Sequence, residues 1–218
     1  MKKLLLLLPV LFFFFSAKAQ LDLNPQGGIN IVNLSKPPAG ESFSGVVGLL
    51  VGTDLRIGKK YYFQPGLFLN RSATISKHTL DSIITYKNSL YRTTIKLKTM
   101  VGVKLVNKAL FKIRLCAGPS YDFLLDISNK YNDQPLNTYT KNNFQSGTFN
   151  IDGALGFDLW FTSIDFGYSY GLTNAFKAQG NNKYNSTFAG VYITAGIILG
   201  DSVKESKKSK SSKKNNDQ

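Results

Sequence analysis

The chain has 218 residues, a formal net charge of +14, and 43% hydrophobic residues. Its one cysteine, Cys116, excludes an intramolecular disulfide and a cysteine-based metal site. No segment after residue 19 is apolar enough for a transmembrane helix, which excludes a helical membrane protein.

The first 19 residues have the pattern of a secretory signal peptide. Lys2 and Lys3 precede an apolar run over residues 4–15, and small residues flank Lys18 before Gln20. The run is shorter than the roughly 18 residues that a membrane anchor needs. We therefore predict export with cleavage after residue 19, which removes three lysines and leaves a net charge of +11. An exported chain of this charge is expected to meet anionic lipid and surface polysaccharide, and no nucleic acid.

The chain from residue 20 to about residue 200 contains eight segments with apolar residues at every second position, the period of a β-strand. The first, at 27–34, is weak. The others cover residues 47–57, 61–70, 91–105, 110–125, 150–161, 164–173 and 187–199. Only Thr162 and Ser163 separate the sixth segment from the seventh, which predicts an antiparallel hairpin with its turn at 161–163.

Short and long connections alternate between these segments. Residues 58–60, 106–108 and 161–163 are minimal turns, whereas residues 35–42, 76–89, 127–146 and 177–186 have the Pro, Asn, Ser and Gly content of long loops. In a sheet of consecutive antiparallel strands, this alternation places all long loops at one end.

Three features indicate that the apolar face of each strand contacts lipid. The segments are about 10–16 residues long, whereas strands of soluble proteins usually have five or six. The opposite parity is rich in Gly, Ser, Ala and Asp, which suits the inside of a narrow tube. Short turns at one end and long loops at the other are typical of outer-membrane barrels. We predict an all-β fold, an eight-stranded antiparallel up-and-down transmembrane β-barrel over residues 20–200; the alternative is a secreted β-sandwich.

The inward parity carries charges of both signs, and eight strands leave room only for side chains in the lumen. We therefore predict a paired network that plugs the barrel, since isolated buried charges are costly. An ion or solute path is the alternative. The predicted network consists of Asp54, Arg56, Lys96, Lys98, Lys104, Lys112, Arg114, Asp122, Asp152, Asp158 and Asp165.

The sequence predicts no catalytic, cofactor-binding or metal-binding residue. A hydrolytic site usually needs a histidine beside a carboxylate, and the one histidine, His78, lies in a predicted polar loop with Ser76 and Asp81 nearby. The sequence contains no metal-ligand spacing. It also contains no phosphate-binding glycine loop, because the glycines follow the strand parity.

Two further groups of residues are candidate contacts. Arg71, Lys77, Tyr131, Tyr139 and Lys141 are candidates for contacts of the outer surface with lipopolysaccharide or a protein partner. Phe144, in the longest predicted loop, is a further aromatic candidate for contact with a sugar or protein partner. Residues 201–218 are lysine-rich and aperiodic, which predicts a disordered tail. An even number of strands places both termini in the periplasm, where the tail meets anionic lipid or the cell wall; its candidate contacts are Lys207, Lys208, Lys210, Lys213 and Lys214.

Three stretches, YYFQPGLFLNRSATI at 61–75, IRLCAGPSYDFLL at 113–125 and IDFGYSYGLTNAF at 164–176, resemble the PorT-type outer-membrane β-barrels, proteins of OmpA/OmpX size from Gram-negative bacteria. The resemblance extends over nearly the whole mature chain and implies an outer-membrane location. We expect a non-enzymatic barrel that stabilises the outer membrane or presents loops to partners. The alternative that the resemblance implies is an accessory component of a secretion or transport complex. A barrel-embedded lipid-modifying or proteolytic enzyme is the third hypothesis.

Overall fold

The computed structural model describes residues 20–35, 41–80, 84–108, 110–131, 134–135, 140–177, 185–201 and 203. The predicted signal peptide and nearly all of the predicted tail lie outside these residues. Eight long strands make up the fold: β1 Leu21–Ser35, β2 Glu41–Gly58, β3 Tyr61–Leu80, β4 Ile84–Asn107, β5 Phe111–Tyr131, β6 Gly147–Leu159, β7 Thr162–Gly171 and β8 Thr187–Ile197. Leu199–Gly200 extends the line of β8, and Gln134–Pro135 pairs with the end of β5.

Each strand pairs antiparallel with the next along the chain, and β1 pairs with β8, so the sheet is a closed barrel. The prediction of an eight-stranded up-and-down barrel is confirmed. Closure leaves no sheet edge, as a lipid environment requires, because an unpaired backbone N–H or C=O in hydrocarbon costs several kcal/mol. Among the described residues, no helix is long and apolar enough to cross a membrane.

The alternating pattern sorts side chains between the inside and the outside of the barrel. In β6, for example, Ile151 is half exposed on the outer face, whereas its neighbour Asp152 is buried inside. Outward aromatic residues gather near the two ends of the strands, with Tyr61, Trp160 and Phe161 at the short-turn end and Phe149, Tyr168 and Tyr170 toward the other. Girdles of this kind mark the two interfaces of a membrane barrel.

The structure corrects several of the predicted boundaries, among them the start of β2, which is Glu41. The predicted long loop at 76–89 is wrong, because β3 and β4 continue as a paired ribbon as far as the pair Leu80 and Ile84. β1 begins six residues before the predicted start, and β5 extends to Tyr131 through part of the predicted loop. The turn between β6 and β7 is Trp160-Phe161, and Ser163 lies inside β7 opposite Asp158.

A β-bulge explains why the sequence at the end of β5 lacks a regular alternation and resembles a loop. The register of β5 against β4 shifts at Leu125 and Asp126, which are both exposed. A bulge adds one residue to one strand, so the inward parity changes from even to odd numbers there. Leu124 is therefore inward before the bulge, and Ile127 is inward after it.

The interior contains two apolar clusters as well as polar residues. One lies near the middle of the barrel and consists of Leu50, Tyr62, Phe68, Met100, Cys116, Ala154 and Tyr192. The other lies toward the loop end and consists of Leu34, Leu90, Leu124, Ile127, Phe144, Ala175, Phe176 and Phe188. We call this second cluster the apolar cap.

Two tyrosines of the middle cluster lie directly over glycines on the neighbouring strand. Tyr62 is paired with Gly102, and Tyr192 is paired with Gly167. A Cβ atom at Gly167 would overlap the ring of Tyr192. The glycine is therefore needed for space at this position.

Substitution of Gly167 by alanine is expected to destabilise the barrel by about 1–3 kcal/mol, the usual cost of overpacking a full interior. Gly153→Ala is the matched control, since a Cβ there meets nothing nearer than the Cys116 carbonyl oxygen at 4.0 Å. Urea unfolding of both variants in detergent, followed by the gel mobility of unheated samples, measures the difference. Equal midpoints for the two variants would contradict this packing.

Candidate functional site

The lumen near the short-turn end holds a network of two arginines and two aspartates. Arg114, which is fully buried, donates to Asp158 at 2.9 Å and to Asp165 at 2.7 Å. Arg56 donates to Asp158 at 3.2 Å, and both guanidinium groups donate to the Ser163 hydroxyl oxygen at 2.9 Å. Strands β2, β5, β6 and β7 supply these side chains, so the network crosses the lumen.

Asp54 joins this network and is surrounded by amide donors. Its carboxylate lies 3.4 Å from Nε of Arg56. It also accepts hydrogen bonds from Gln26 and, at 2.8 Å, from Gln64. Neutral donors and a single cation together stabilise a carboxylate that has almost no contact with solvent.

Lys98, in the middle of the barrel, contacts aromatic rings, whereas Arg56 and Arg114 contact carboxylates. Its ammonium lies over the ring of Phe68 at 4.1 Å from the centroid and over the ring of Tyr192 at 4.7 Å. The negative faces of two aromatic rings stabilise a buried cation. Lys98 therefore links the polar network to the middle apolar cluster.

A second network lies between Lys98 and the apolar cap. Lys96 donates to Asp152 at 3.2 Å and to the Ser169 hydroxyl at 2.8 Å, and it lies 3.7 Å from Asp122. Arg92 donates to Asp122 at 3.1 Å. The guanidinium of Arg92 also stacks on Phe188, 4.1 Å from the ring centroid, and Phe188 belongs to the apolar cap.

A cavity of about 40 Å³ lies beside this second network. Lys96, Lys98, Arg92 and Asn30 are among the residues that line it. A buried water needs on the order of 10–15 Å³ of such volume, so the cavity has room for about three waters and for no larger solute.

The apolar cap closes the lumen at the loop end. Residues 140–146 and 172–177 fold over the opening, held by backbone hydrogen bonds such as Gln145 N to Ala175 O at 2.9 Å. Phe144 packs against Phe176 with ring centroids 4.6 Å apart and is only 2% exposed. Phe144 is therefore part of the interior, and the expectation that it contacts an external partner is wrong.

The structure places all eleven residues of the predicted lumen network in the buried interior. Within the described part of the chain, eight of them form ion pairs with one another or with Arg92: Asp54, Arg56, Lys96, Arg114, Asp122, Asp152, Asp158 and Asp165. Lys98 contacts aromatic rings, Lys104 donates to the Gln20 side chain at 2.8 Å, and Lys112 is buried opposite Asp158 on β6.

Sequence reasoning missed several interior residues. Arg92 has the same parity as Lys96 and Lys98, so parity alone would have added it. Asp22 was missed because β1 was predicted to begin at Gly27, although Leu21, Asp22, Leu23 and Asn24 already alternate. With both included, the described buried interior contains seven cations and six aspartates, which is close to electrical balance.

The candidate contacts outside the lumen are only partly described. Arg71 is exposed on the outer face in the middle of β3, and Lys141 is exposed next to the apolar cap. The side chains of Lys77, His78 and Tyr131, the whole of Tyr139, and the five tail lysines lie outside the described residues. Their proposed contacts stay predictions.

The described residues offer little for catalysis or metal binding. They contain no group of three or more His, Cys, Asp or Glu side chains that could hold a metal ion. The Cys116 thiol is buried and donates to the Ala154 carbonyl oxygen at 3.7 Å. The Ser163 hydroxyl accepts hydrogen bonds from two guanidinium groups and lies beside the Asp158 carboxylate, which is ion-paired with both arginines.

The closed barrel and the apolar outer face agree with a comparison to known families. Residues 16–177 match the model of the outer membrane protein beta-barrel domain. The chain belongs to this family. Membership confirms the outer-membrane prediction, while kinship with PorT stays a prediction.

A comparison with solved structures finds two outer-membrane proteins of low sequence identity. The chain is 14% identical to the outer membrane protein OprG of Pseudomonas aeruginosa, with a TM-score of 0.48 and coverage of 84% of this chain and 95% of OprG. It is 7% identical to Ail, the attachment invasion locus protein of Yersinia pestis, in complex with the heparin analogue sucrose octasulfate, with a TM-score of 0.40 and coverage of 84% and 100%. No curated protein matches the chain.

In this outer-membrane barrel, removal of Arg114 is expected to be strongly destabilising. Arg114→Met leaves Asp158 and Asp165 buried with one fewer cation, and breaking a buried pair in this way costs about 3–5 kcal/mol. Adding Asp165→Asn to the same chain removes one uncompensated charge and is expected to restore part of the loss. Lys141→Met, on the exposed surface, is the control and is expected to change stability by less than about 0.5 kcal/mol.

Urea unfolding of five proteins in one lipid composition gives these free energies: wild type, Arg114→Met, Asp165→Asn, the double variant and Lys141→Met. A double variant that is destabilised by the sum of its two single substitutions would show that Arg114 and Asp165 are not coupled.

Proposed function

We propose that the protein is a non-enzymatic, non-conducting barrel that stabilises the outer membrane or presents its outer surfaces to partners. One observation carries this proposal: side chains fill the described lumen in successive layers, from the Arg56–Arg114 network through Lys98 to the apolar cap. A solute path would need a continuous aqueous space. The interior has instead the dense packing of a small eight-stranded barrel.

The outer wall supports the membrane-stabilising part of the proposal. Large apolar residues are exposed along all eight strands, and Leu49, Val51 and Val101 are each more than half exposed. An exposed apolar area of this extent belongs in contact with lipid. The rigid closed sheet and its aromatic girdles fix the barrel at one depth in the bilayer.

The strand ends support an orientation. Leu21 pairs with Ile57 and Asp22 pairs with Gly200, so both ends of the barrel domain lie beside the short turns. Outer-membrane barrels place their short turns in the periplasm. We accordingly place the termini in the periplasm and the apolar cap at the cell surface.

The described residues give the enzymatic hypothesis no support: the aspartates beside the Ser163 and Ser169 hydroxyls are ion-paired with cations, and the Cys116 thiol donates to a carbonyl oxygen. An accessory role in a secretion complex stays a prediction from the PorT resemblance. No contact among the described residues favours it.

A liposome-swelling assay tests whether the lumen is closed. The mature protein, purified from membranes and reconstituted into liposomes, is expected to give the same swelling rate in arabinose or glycine as empty liposomes do. The physical reason is that the cavity beside Lys96 is only about 40 Å³ and lies among interior side chains. A 16-stranded porin serves as the positive control, because its lumen is an aqueous channel.

Folding in the same samples is checked by the mobility of unheated and boiled protein on a denaturing gel. Swelling above the rate of empty liposomes, in samples that show the folded band, would overturn the proposal of a closed lumen. Absence of swelling together with the folded band supports it.

A further inference from the structure

Arg71 differs from the other charged residues of the barrel wall. It is exposed on the outward face of β3, where it is paired with Leu49 of β2 and with Thr93 of β4. Leu49 is 65% exposed, and Leu69, the next outward residue of β3, is 46% exposed. A guanidinium group therefore stands within an apolar wall that faces lipid.

The position of Arg71 along β3 sets its height in the membrane. β3 begins at Tyr61 beside a short turn, and Arg71 is ten residues further along the strand. Ten residues at about 3.3 Å each, tilted by about 40°, rise about 25 Å, which is the height of the apolar band of an outer-membrane barrel. Arg71 thus lies at the upper edge of the hydrocarbon layer, where lipid phosphates are found.

A groove of about 460 Å³ runs along the outer wall at Arg71. Leu49, Val51 and Leu69 line it together with Arg71 and Thr93. β2 and β3 are antiparallel, so Val51 and Leu69 both lie on the short-turn side of Arg71. The groove therefore has a cation at its upper end and an apolar floor below, which is the polarity of a lipid with its headgroup outward.

The charge of Arg71 is available to a ligand. Its guanidinium stacks on Tyr91 of β4, 5.5 Å from the ring centroid, and within the described part of the chain it forms no ion pair with a carboxylate. The outward carboxylate in the same row is Asp126 on β5, two strands away, with Thr93 between them. Stacking on a ring leaves the N–H edges of a guanidinium free for bidentate contact with phosphate oxygens.

We propose that Arg71 and the groove below it form a binding site for one phosphorylated, multiply acylated glycolipid of the outer leaflet, of the lipid A class. Arg71 binds a headgroup phosphate, and an acyl chain lies along Leu49, Val51 and Leu69. Lipid A is favoured over a phospholipid because the site is at the cell-surface end of the barrel. The inference rests on the orientation given under the proposed function.

Native mass spectrometry of the full mature protein in detergent tests the site. The probes are bisphosphorylated lipid A, the same lipid after enzymatic dephosphorylation, and phosphatidylglycerol. We expect Arg71→Gln to bind lipid A about tenfold more weakly than wild type, equivalent to about 1.4 kcal/mol. Arg71→Lys is expected to be intermediate, because lysine keeps the charge and loses the bidentate contact.

Lys60→Gln is the matched control. Lys60 also stacks on an outward tyrosine, Tyr61, at 5.8 Å, but at the short-turn end of the barrel. It is expected to leave lipid A binding unchanged. All variants must show the heat-dependent gel shift, so that loss of folding is recognised separately.

Three results would overturn the site: equal lipid A binding by Arg71→Gln and wild type, equal binding of phosphorylated and dephosphorylated lipid A, or equal binding of phosphatidylglycerol and lipid A. The last result would show a site for anionic lipid in general. Swelling in the liposome assay would refute the closed lumen and leave this binding result intact, so the two proposals fail separately.

Discussion

Backbone hydrogen bonding in lipid is the constraint on which this structure depends. Hydrocarbon offers no partner for an N–H or C=O group, so the sheet closes through pairing of β1 with β8. Closure by eight strands makes the tube narrow, and the strand period directs every second residue into it. Polar residues placed there have no bulk water and must satisfy one another. The ion pairs of Arg56, Arg114, Asp158 and Asp165 follow from that geometry.

The fold was predictable from sequence because closure imposes period two on every strand. The same rule placed eleven interior charges correctly by parity. It failed where parity itself changes: the bulge at Leu125 and Asp126 turned Ile127 inward and made a paired strand resemble a loop. It also failed at Trp160-Phe161, where a tight turn is built from two aromatic residues, with Trp160 at a φ of 54°. Turn signals based on Gly, Asn and Pro do not detect such a turn.

The partners of the interior charges were not predictable, because pairing depends on the stagger of strands around the barrel. Lys96 on β4 reaches Asp152 on β6 across β5, and Arg56 on β2 reaches Asp158 on β6 across the lumen. The apolar cap could also not be predicted from the alternation of apolar residues, because Phe144 lies between strands, in a segment that folds back over the opening. Arg92 joins the two regions, with its guanidinium bound to Asp122 on one side and stacked on Phe188 on the other. The cap is therefore anchored to the ionic network and does not simply cover it.

The charged residues of the inner and outer faces of the barrel have different surroundings. Inside, seven cations and six aspartates are buried together. Their opposite charges largely neutralise one another, which stabilises a single arrangement of strands. Outside, the described strands carry few charges, and Arg71 is held by an aromatic ring instead of a carboxylate. A charge at the edge of the hydrocarbon layer costs little compared with one at its centre, so such a residue is tolerated without a protein partner. The recognition chemistry of this protein is accordingly expected on its outer wall and loops, because ion-pair networks and apolar clusters occupy the described lumen.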